Sequence, residues 1–311
     1  MGNEFFFEWE RSLILLLQGG EGLIPLFSKV FGFIGSELFL VPLLLFIYLG
    51  VDKELALGAA VNTGVVLVLN PAVKNVTCRR RPYFDLEGVK CLVPVEKGAD
   101  IFDIAAQGWS FPSGHSSNSA AVLGTLAKDS RAKAARTAYY AVIFLVGISR
   151  VAAGNHFPTD VIAGWALGVF SIMLMQKLPV LFRSRERMYA AIFAVSLTGC
   201  LWCRTADYYS GLGVMAGVFA GDLYERKFVR FKTTDVLKWR ILRFAGAAAV
   251  FIAISQGIKL FVSADFLSAS GFFPYLVRVL RYGTAVFVSM GVYPAVFKAV
   301  EGRNGSNGEK Q

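Results

Sequence analysis

Three short segments of the 311-residue sequence carry cations, histidines and small residues in an order that suits phosphate chemistry. Basic side chains bind phosphate oxygens, and guanidinium groups match them with two parallel hydrogen bonds. Histidine can donate a proton, accept one or attack phosphorus near neutral pH, and the chain has only two histidines, one in each of the last two segments. The segments are Lys74-NVTCRR-Arg81-Pro82, Phe111-Pro112-Ser113-Gly114-His115 and Ser149-Arg150-VAAGN-His156-FPT-Asp160.

The first chemical feature of these segments is a predicted phosphate cradle. Lys74, Arg81 and Arg150 lie at the predicted ends of membrane spans, where an unpaired cation is costly and a bound dianion relieves the cost. Ser113 and Gly114 lie at a predicted helix start, where free backbone N–H groups and the helix dipole favour an anion. These five residues are expected to hold phosphate without a metal ion.

The second feature is a pair of histidines suited to phosphoryl transfer. His156 is followed four residues later by Asp160, whose carboxylate could fix the imidazole tautomer and leave the other ring nitrogen free to attack phosphorus. His115 could then act as general acid on the leaving oxygen. The alternative is that the histidines are structural and that the arginines extend to the membrane surface. The ordered spacing of all these groups favours catalysis.

The composition places the chain in a membrane. Hydrophobic residues make up 55% and charged residues 17%, and the mean hydropathy is +0.53, whereas about a quarter of an ordinary soluble domain is charged. A soluble enzyme, a disordered scaffold and a disulfide-rich secreted module are therefore excluded. Because a membrane helix needs about 20 mostly apolar residues, we predict nine spans, near residues 30–50, 54–76, 113–128, 133–151, 159–179, 187–203, 207–224, 241–262 and 273–297.

The segment before the first span is amphipathic. Within residues 4–17, a helix would place Glu4, Glu8 and Arg11 on one face and apolar side chains on the other. This pattern predicts a helix that lies on the membrane surface; a helix packed against the bundle is the alternative. No charged leader with a cleavage site is recognisable, so we expect no removable signal peptide.

The basic residues set the expected orientation. The net charge is +10, and more than half of the 32 Lys and Arg residues fall in one set of loops. The positive-inside rule places residues 128–136, 177–187 and 225–243 in the cytoplasm, so the three segments share the outward face. The polar tail 301–311 is predicted to be disordered and cytoplasmic. The charge is expected to face anionic lipid, and no nucleic-acid partner is expected.

The four cysteines fall at or near the predicted outward face, where disulfides can persist. The pairs Cys78–Cys91 and Cys200–Cys203 could form, but free thiols are equally compatible with the sequence. A zinc site would need a second Cys-x-x-C pair or a spare histidine, and neither is present. No metal site is expected.

With these residues in place, the sequence resembles the type 2 phosphatidic acid phosphatase superfamily over about residues 30–180. The superfamily includes lipid phosphate phosphatases, undecaprenyl-diphosphate phosphatases, glucose-6-phosphatase and soluble vanadium haloperoxidases. Lys74-x6-Arg81-Pro82, Pro112-Ser113-Gly114-His115 and Ser149-Arg150-x5-His156-x3-Asp160 look like its three signature motifs. A triple motif at this spacing is far more specific than one short pattern.

The resemblance implies roles for these residues. His156 would be the nucleophile that becomes phosphohistidine, and Asp160 would orient it. His115 would protonate the leaving group and later activate the hydrolytic water. The phosphate would be held by Lys74, Arg81, Ser113, Gly114 and Arg150. No cofactor is implied.

The resemblance also implies a fold. We expect an all-α polytopic bundle with a six-helix phosphatase core, an N-terminal interfacial helix and about three extra C-terminal spans. The expected organisation is an interfacial helix at 1–20, the core at 21–203, additional spans at 204–300 and the tail at 301–311.

The expected activity is hydrolysis of a lipid phosphomonoester or diphosphate at the extracytoplasmic face of a bacterial plasma membrane. Phosphatidic acid, phosphatidylglycerophosphate, polyprenyl diphosphates and sphingoid phosphates are the candidate substrates. The alternatives are a phosphotransferase that passes the phosphoryl group to an acceptor lipid, a glucose-6-phosphatase-like sugar phosphatase, and a transporter with a vestigial phosphate site. The sequence alone leaves the oligomeric state open.

Three further features have open interpretations. The charged segment 83–110 is either a cap over the site or a solvated connector, and Trp109 is expected to anchor at the membrane interface. Arg278 and Arg281, three residues apart on one helical face, are predicted to line a cavity and bind an anionic substrate headgroup or a second phosphate. Extension of these two side chains to the outer membrane surface is the alternative.

Overall fold

The computed structural model describes residues 2–20 and 22–300, and the tail predicted at 301–311 lies outside this part of the chain. Within it the regular structure is helical, with one isolated β-bridge between Asn3 and Arg79. The α-helices are α1 (Glu8–Gln18), α2 (Leu23–Ile34), α3 (Glu37–Gly50), α4 (Lys53–Thr77), α5 (Pro82–Asp85), α6 (Ile104–Gln107), α7 (Gly114–Asp129), α8 (Lys133–Ala152), α9 (Pro158–Leu181), α10 (Arg185–Leu197), α11 (Ala206–Tyr224), α12 (Leu237–Leu260), α13 (Ala264–Ser268) and α14 (Phe272–Phe287). Two π-helical turns, Glu225–Val229 and Val288–Val292, extend α11 and α14.

The predicted all-α membrane fold is confirmed, and each of the nine predicted spans coincides with helix. The first span begins earlier than predicted and is interrupted at Gly35 and Ser36, between α2 and α3. The helices α7, α10 and α11, which account for three predicted spans, are shorter or more polar. Six described segments are long and apolar enough to cross a membrane: Leu23–Gly50, Lys53–Thr77, Lys133–Ala152, Pro158–Leu181, Leu237–Leu260 and Phe272–Val300.

The chain forms two compact units. The first contains Met1–Leu40, Val65–Lys177 and Leu201–Cys203. In it α8 packs against both α7 and α2. Most residues of α7 are buried, although Ser, Asn and Thr are frequent in it. Its Ser and Thr hydroxyls tolerate burial because they bond to main-chain carbonyls of the preceding turn.

The N-terminal helix α1 belongs to this first unit. Its Glu10 and Ile14 are fully buried, and Ile14 joins an apolar cluster with Phe157 and Val161. Trp9 and Leu16 on the same helix are exposed. The helix therefore packs on the protein along one side and presents apolar side chains to its surroundings along another.

The second unit contains Val41–Gly64, Leu178–Cys200 and Arg204–Gln311. Its main contact is between α11 and α14, which meet along a row of glycines. A Cβ atom at Gly213 would lie 2.5 Å from the carbonyl oxygen of Val279, and one at Gly217 would lie 2.6 Å from that of Gly283. The helix backbones can approach this closely only because these positions lack side chains.

Buried ion pairs connect the helices at one end of the second unit. Asp222 and Glu225, at the end of α11, are almost completely buried. Asp222 accepts hydrogen bonds from Arg185 (3.0 Å) and Arg226 (2.6 Å), and Glu225 pairs with Lys53 at 3.0 Å. Each buried carboxylate therefore has its compensating cation, as burial of a charge requires.

The glycine contact between α11 and α14 yields a stability prediction. Gly213→Ala should lower the thermal unfolding temperature of the detergent-purified protein, because overpacking against a rigid backbone costs about 1–3 kcal/mol. Gly58→Ala is the matched control, since a Cβ at this exposed helical position meets nothing within 4 Å. It should be neutral or slightly stabilising. Equal unfolding temperatures for the two variants would contradict the close contact.

Candidate active site

The three predicted motifs meet in the first unit, each at a helix end. Lys74 lies in the last turn of α4, and Arg81 follows at the start of α5. Between them Cys78 adopts the left-handed conformation (φ 48°), which stops the helix and reverses the chain. This turn allows a lysine in the helix and an arginine seven residues later to serve the same site.

The second motif opens α7. Ser113 is the N-cap residue, and its Oγ accepts hydrogen bonds from the backbone N–H (3.4 Å) and the hydroxyl of Ser116. Gly114 and His115 form the first turn, where backbone N–H groups are free of intrahelical partners. The backbone N–H of Ser113 donates to the carbonyl oxygen of Asp160 (2.9 Å), so the second and third motifs are directly joined.

His156 lies two residues before α9 and is buried, with 3% of its surface exposed. Its Nδ1 is 3.4 Å from Oδ2 of Asp160 and 3.5 Å from Oγ of Ser110. Its Nε2 is 3.5 Å from Nη1 of Arg81. These contacts assign the ring proton to Nδ1, facing the carboxylate, and the lone pair to Nε2, facing the cation.

The carboxylate of Asp160 is held on both oxygens. Oδ2 accepts hydrogen bonds from the backbone N–H of Phe157 (2.8 Å) and from the hydroxyl of Ser110. Oδ1 accepts from Nη1 of Arg79 at 2.6 Å. Because the side chain is completely buried and fixed by three donors, it can hold the imidazole of His156 in one orientation.

Arg79 was not predicted as a site residue. Its guanidinium is buried, stacks on the ring of Phe157 at 3.7 Å from the centroid, and pairs with Asp160 on one side and with Glu10 on the other (3.0 Å). The sequence has three consecutive arginines, 79–81, and only the reversal at Cys78 decides which one meets the carboxylates. Glu10 was also missed, although its place beside Ile14 on the inner side of α1 is a detectable signal.

Neutral oxygens hold two of the cradle cations. Arg81 donates through Nη2 to the carbonyl oxygen of Gln107 (2.6 Å) and through Nη1 to that of Asn155 (2.9 Å). Lys74 donates to the carbonyl oxygen of Trp109 at 2.9 Å. Since main-chain carbonyls carry no net charge, these bonds orient the cations without cancelling their charge.

Arg150 is the third cation, in the last turn of α8. Only 4% of it is exposed, and its Nε has no hydrogen-bond partner within the described residues. Its guanidinium lies directly against Gly32 of α2, where a side chain would overlap Nη1. An unsatisfied buried N–H of a charged group is costly, so this arrangement favours a bound anion.

The same cations act on His156. Burial lowers the pKa of His156 well below its ordinary value, and Arg81, Lys74 and Arg150 lower it further. The imidazole is therefore neutral at pH 7, and its Nε2 lone pair is available.

The sequence allowed two interpretations of the segment 83–110, a cap over the site or a solvated connector. In the structure this segment packs on the motifs. Gln107 is completely buried; its carbonyl binds Arg81, and its side chain accepts the backbone N–H of Val95 at 2.8 Å. The backbone N–H of Leu92 donates to the carbonyl oxygen of Ala153 (3.0 Å) in the third motif. These contacts make the segment an ordered cover over this side of the cluster.

The cysteines are all free thiols, so the two disulfides that the sequence allowed are absent. Within residues 2–20 and 22–300 no group of three or more His, Cys, Asp and Glu side chains is arranged to hold a metal ion.

The structure does not place Arg278 and Arg281 in the first unit, where the other predicted site residues lie; both are in α14 of the second unit. Arg278 donates to the carbonyl oxygen of Leu267 at 2.7 Å. Arg281 is 5% exposed, and its Nε has no hydrogen-bond partner in the described part of the chain. The two arginines therefore differ, and Arg281 has the spare donor.

Comparisons with known proteins identify the family of the chain. Residues 54–184 match the sequence profile of the PAP2 superfamily, and residues 209–304 match that of the PAP2 superfamily phosphatase transmembrane extension. The crystal structure of Aquifex aeolicus LpxE is 26% identical, covers 57% of this chain and 99% of its own, and superposes with a TM-score of 0.49. No curated protein sequence gives a significant match. The two profiles together span more than two thirds of the chain, which therefore belongs to the PAP2 superfamily and is a multi-pass membrane phosphatase.

Proposed function

We propose that this protein hydrolyses a phosphomonoester or diphosphate of a lipid through a phosphohistidine intermediate, without a metal ion. The observation that carries the proposal is the placement of His156 between opposite charges. Its Nδ1 faces the fixed carboxylate of Asp160, and its Nε2 faces Arg81. A neutral imidazole so oriented is a nucleophile aimed at the place where a phosphate would be bound.

In the first step the lone pair of His156 Nε2 attacks phosphorus, and the bond from phosphorus to the leaving oxygen breaks. His115, protonated when the phosphate dianion is bound, donates its proton to that oxygen, so the alcohol or phosphate leaves with this oxygen protonated. The imidazole keeps its Nδ1 proton and becomes cationic, and Asp160 stabilises this charge. Lys74, Arg81 and Arg150, with the free N–H groups at the start of α7, stabilise the equatorial oxygens.

In the second step a water molecule attacks phosphorus on the side that the leaving group has vacated. His115, now neutral, takes a proton from this water as the new P–O bond forms. The bond between phosphorus and Nε2 of His156 breaks, which regenerates the neutral imidazole and frees inorganic phosphate. The three fixed cations supply the charge stabilisation that a metal ion supplies in other phosphatases.

A lipid substrate is supported by the position of α2. One side of this helix places Gly32 against Arg150, and Gly35, directly after the helix, lies next to His115. Another side carries exposed apolar residues, including Leu26 and Phe33. One helix therefore separates the phosphate cradle from the apolar surface that lipid covers, so a phosphorylated amphiphile can reach the cradle while its chains stay in the bilayer.

The distribution of basic loops supports an outward-facing site. The basic segments 128–136 and 177–187 lie at the ends of α7, α8 and α9 opposite to the ends that carry the second and third motifs. The positive-inside rule assigns these segments to the cytoplasm and the motifs to the extracytoplasmic face, as in a bacterial plasma membrane.

Turnover of lipid phosphates should depend on His156. Detergent-purified protein in EDTA should release inorganic phosphate from one member of a panel of phosphatidic acid, phosphatidylglycerophosphate, undecaprenyl diphosphate, sphingosine 1-phosphate and glucose 6-phosphate. His156→Ala should lower this rate by about 10⁴-fold or more, because it removes the nucleophile, and should form no acid-labile phosphoenzyme.

Phosphate release from glucose 6-phosphate and from no lipid would overturn the lipid specificity. A requirement for added Mg²⁺ would overturn the metal-free cradle. Phosphate transfer that needs an acceptor lipid would assign the protein as a phosphotransferase. Folded protein that is silent with every substrate and acceptor would contradict the phosphatase assignment.

His115→Ala should slow leaving-group departure by about 10²–10⁴-fold, the usual contribution of a general acid. The loss should be greatest for alkyl phosphates, whose leaving oxygen needs a proton, and much smaller for p-nitrophenyl phosphate. Steady-state rates over a series of leaving groups measure this dependence. An equal loss for every leaving group would show that His115 only binds phosphate.

We further propose that Arg281, with Arg278, binds an anionic lipid headgroup in the second unit. The double substitution Arg278→Gln, Arg281→Gln should raise KM for the lipid substrate about tenfold, as expected for charge-assisted hydrogen bonds, and leave p-nitrophenyl phosphate turnover unchanged. Lys259→Gln, an exposed cation of the same unit, is the control. Equal changes for lipid and p-nitrophenyl substrates would reject this role.

A further inference from the structure

The N-terminal segment runs alongside the first motif and is bonded to it. The backbone N–H of Asn3 donates to the carbonyl oxygen of Cys78 (2.8 Å), and the N–H of Arg80 donates to the carbonyl oxygen of Asn3 (3.1 Å). Two residues further, the carbonyl oxygen of Phe5 accepts from Nε of Arg79 at 2.9 Å. The segment thus fixes the backbone and the side chain of the residues that precede Arg81.

Glu10 of α1 continues this contact into the third motif. Its Oε2 accepts from Nη2 of Arg79 (3.0 Å) and from the backbone N–H of Phe7 (2.9 Å). Its Oε1 accepts from the backbone N–H (3.1 Å) and the hydroxyl (2.6 Å) of Thr159, the neighbour of Asp160. A side chain that accepts four hydrogen bonds and donates none behaves as an ionised carboxylate.

We propose that Glu10 is a positioning residue for the reaction at His156, acting through Arg79 and Asp160. The inference rests on the proposed phosphohistidine function. The chain of contacts is continuous: Glu10 to Arg79 at 3.0 Å, Arg79 to Asp160 at 2.6 Å, and Asp160 to His156 at 3.4 Å. All four side chains are almost completely buried.

Charge explains why the second carboxylate matters. Arg79 and Asp160 alone sum to zero, whereas Glu10, Arg79 and Asp160 together carry one negative charge. When the neutral imidazole of His156 attacks phosphorus, its ring becomes positive, and a buried net negative charge favours that product. Glu10 thereby restores the negative charge that Arg79 would otherwise cancel.

Geometry gives Glu10 a second effect. The guanidinium of Arg79 is held by Glu10 and by Thr159, whose hydroxyl accepts from Nη1 at 2.8 Å. So held, Arg79 binds Oδ1 of Asp160 and leaves Oδ2 directed at Nδ1 of His156. The anchored guanidinium therefore sets which carboxylate oxygen faces the nucleophile.

Glu10→Gln tests the proposal, with Glu8→Gln as the control on the exposed side of the same helix. Glu10→Gln leaves the neutral Arg79–Asp160 pair intact, so the protein should fold. It should lower kcat and the rate of phosphohistidine formation, measured by rapid quench with ³²P-labelled substrate, by about tenfold to a hundredfold, a typical cost of losing an outer partner of a reacting group. KM should stay unchanged, and Glu8→Gln should match the wild type.

Two further variants separate positioning from a merely structural role. Glu10→Asp keeps the charge and should recover part of kcat. In an Arg79→Gln background, Glu10→Gln should cost nothing more, because a residue that acts through another loses its effect when that residue is absent. A thermal unfolding curve for every variant gives its folded fraction at the assay temperature, and each rate is divided by that fraction.

The proposal is overturned if Glu10→Gln has the kcat of Glu8→Gln, if KM rises together with the fall in kcat, or if the loss follows the folded fraction alone. It is also overturned if the two substitutions are additive. These outcomes are interpreted only when the wild-type protein turns over substrate and His156→Ala abolishes that turnover. Turnover that survives His156→Ala would instead reject the phosphohistidine mechanism, and with it the positioning role of Glu10.

Discussion

The gathering of three cations, Lys74, Arg81 and Arg150, beside one histidine is the constraint around which the first unit is built. Arg150 has a buried Nε with no partner in the described chain, and Lys74 and Arg81 are oriented by carbonyls. A short distance away the balance is reversed, because Arg79 is compensated by two carboxylates. His156 lies on the boundary, with one nitrogen facing each zone. The helix ends, the turn at Cys78 and the cover formed by 83–110 all serve to keep these two zones apart.

The second unit handles its buried groups differently. Asp222 and Glu225 have complete sets of donors, and the contact between α11 and α14 consists of backbone packed on backbone at glycines. Compensated charge and close packing stabilise a structure but leave nothing for a ligand to satisfy. Arg281 departs from this pattern: among the described residues its buried Nε, like the hydroxyls of Tyr48 and Ser289, has no hydrogen-bond partner, and its charge gives the unit a candidate anion-binding role.

Much of this architecture could be predicted from the sequence because its signals are local. Apolar length predicts the helices, and the motif spacing predicts which helix ends meet. The break between α2 and α3 was missed, although Gly35, Ser36 and Glu37 interrupt the apolar run at that point and are a local turn signal. Arg79 was missed for a tertiary reason, because a left-handed turn selects one of three adjacent arginines. For Glu10, the position beside Ile14 signals burial, but its partners Arg79 and Thr159 are set by the tertiary fold.

The span of the Glu10 contacts has a consequence for biosynthesis. Arg79 lies 69 residues after Glu10, and Thr159 lies 149 residues after it. At about 5–20 residues per second, the ribosome takes several seconds or more to supply these partners. During that interval an ionised Glu10 has nothing to compensate it inside the membrane, so α1 stays at the water interface until the third motif has been inserted. The helix α1 is therefore synthesised well before its partners and docks only after them.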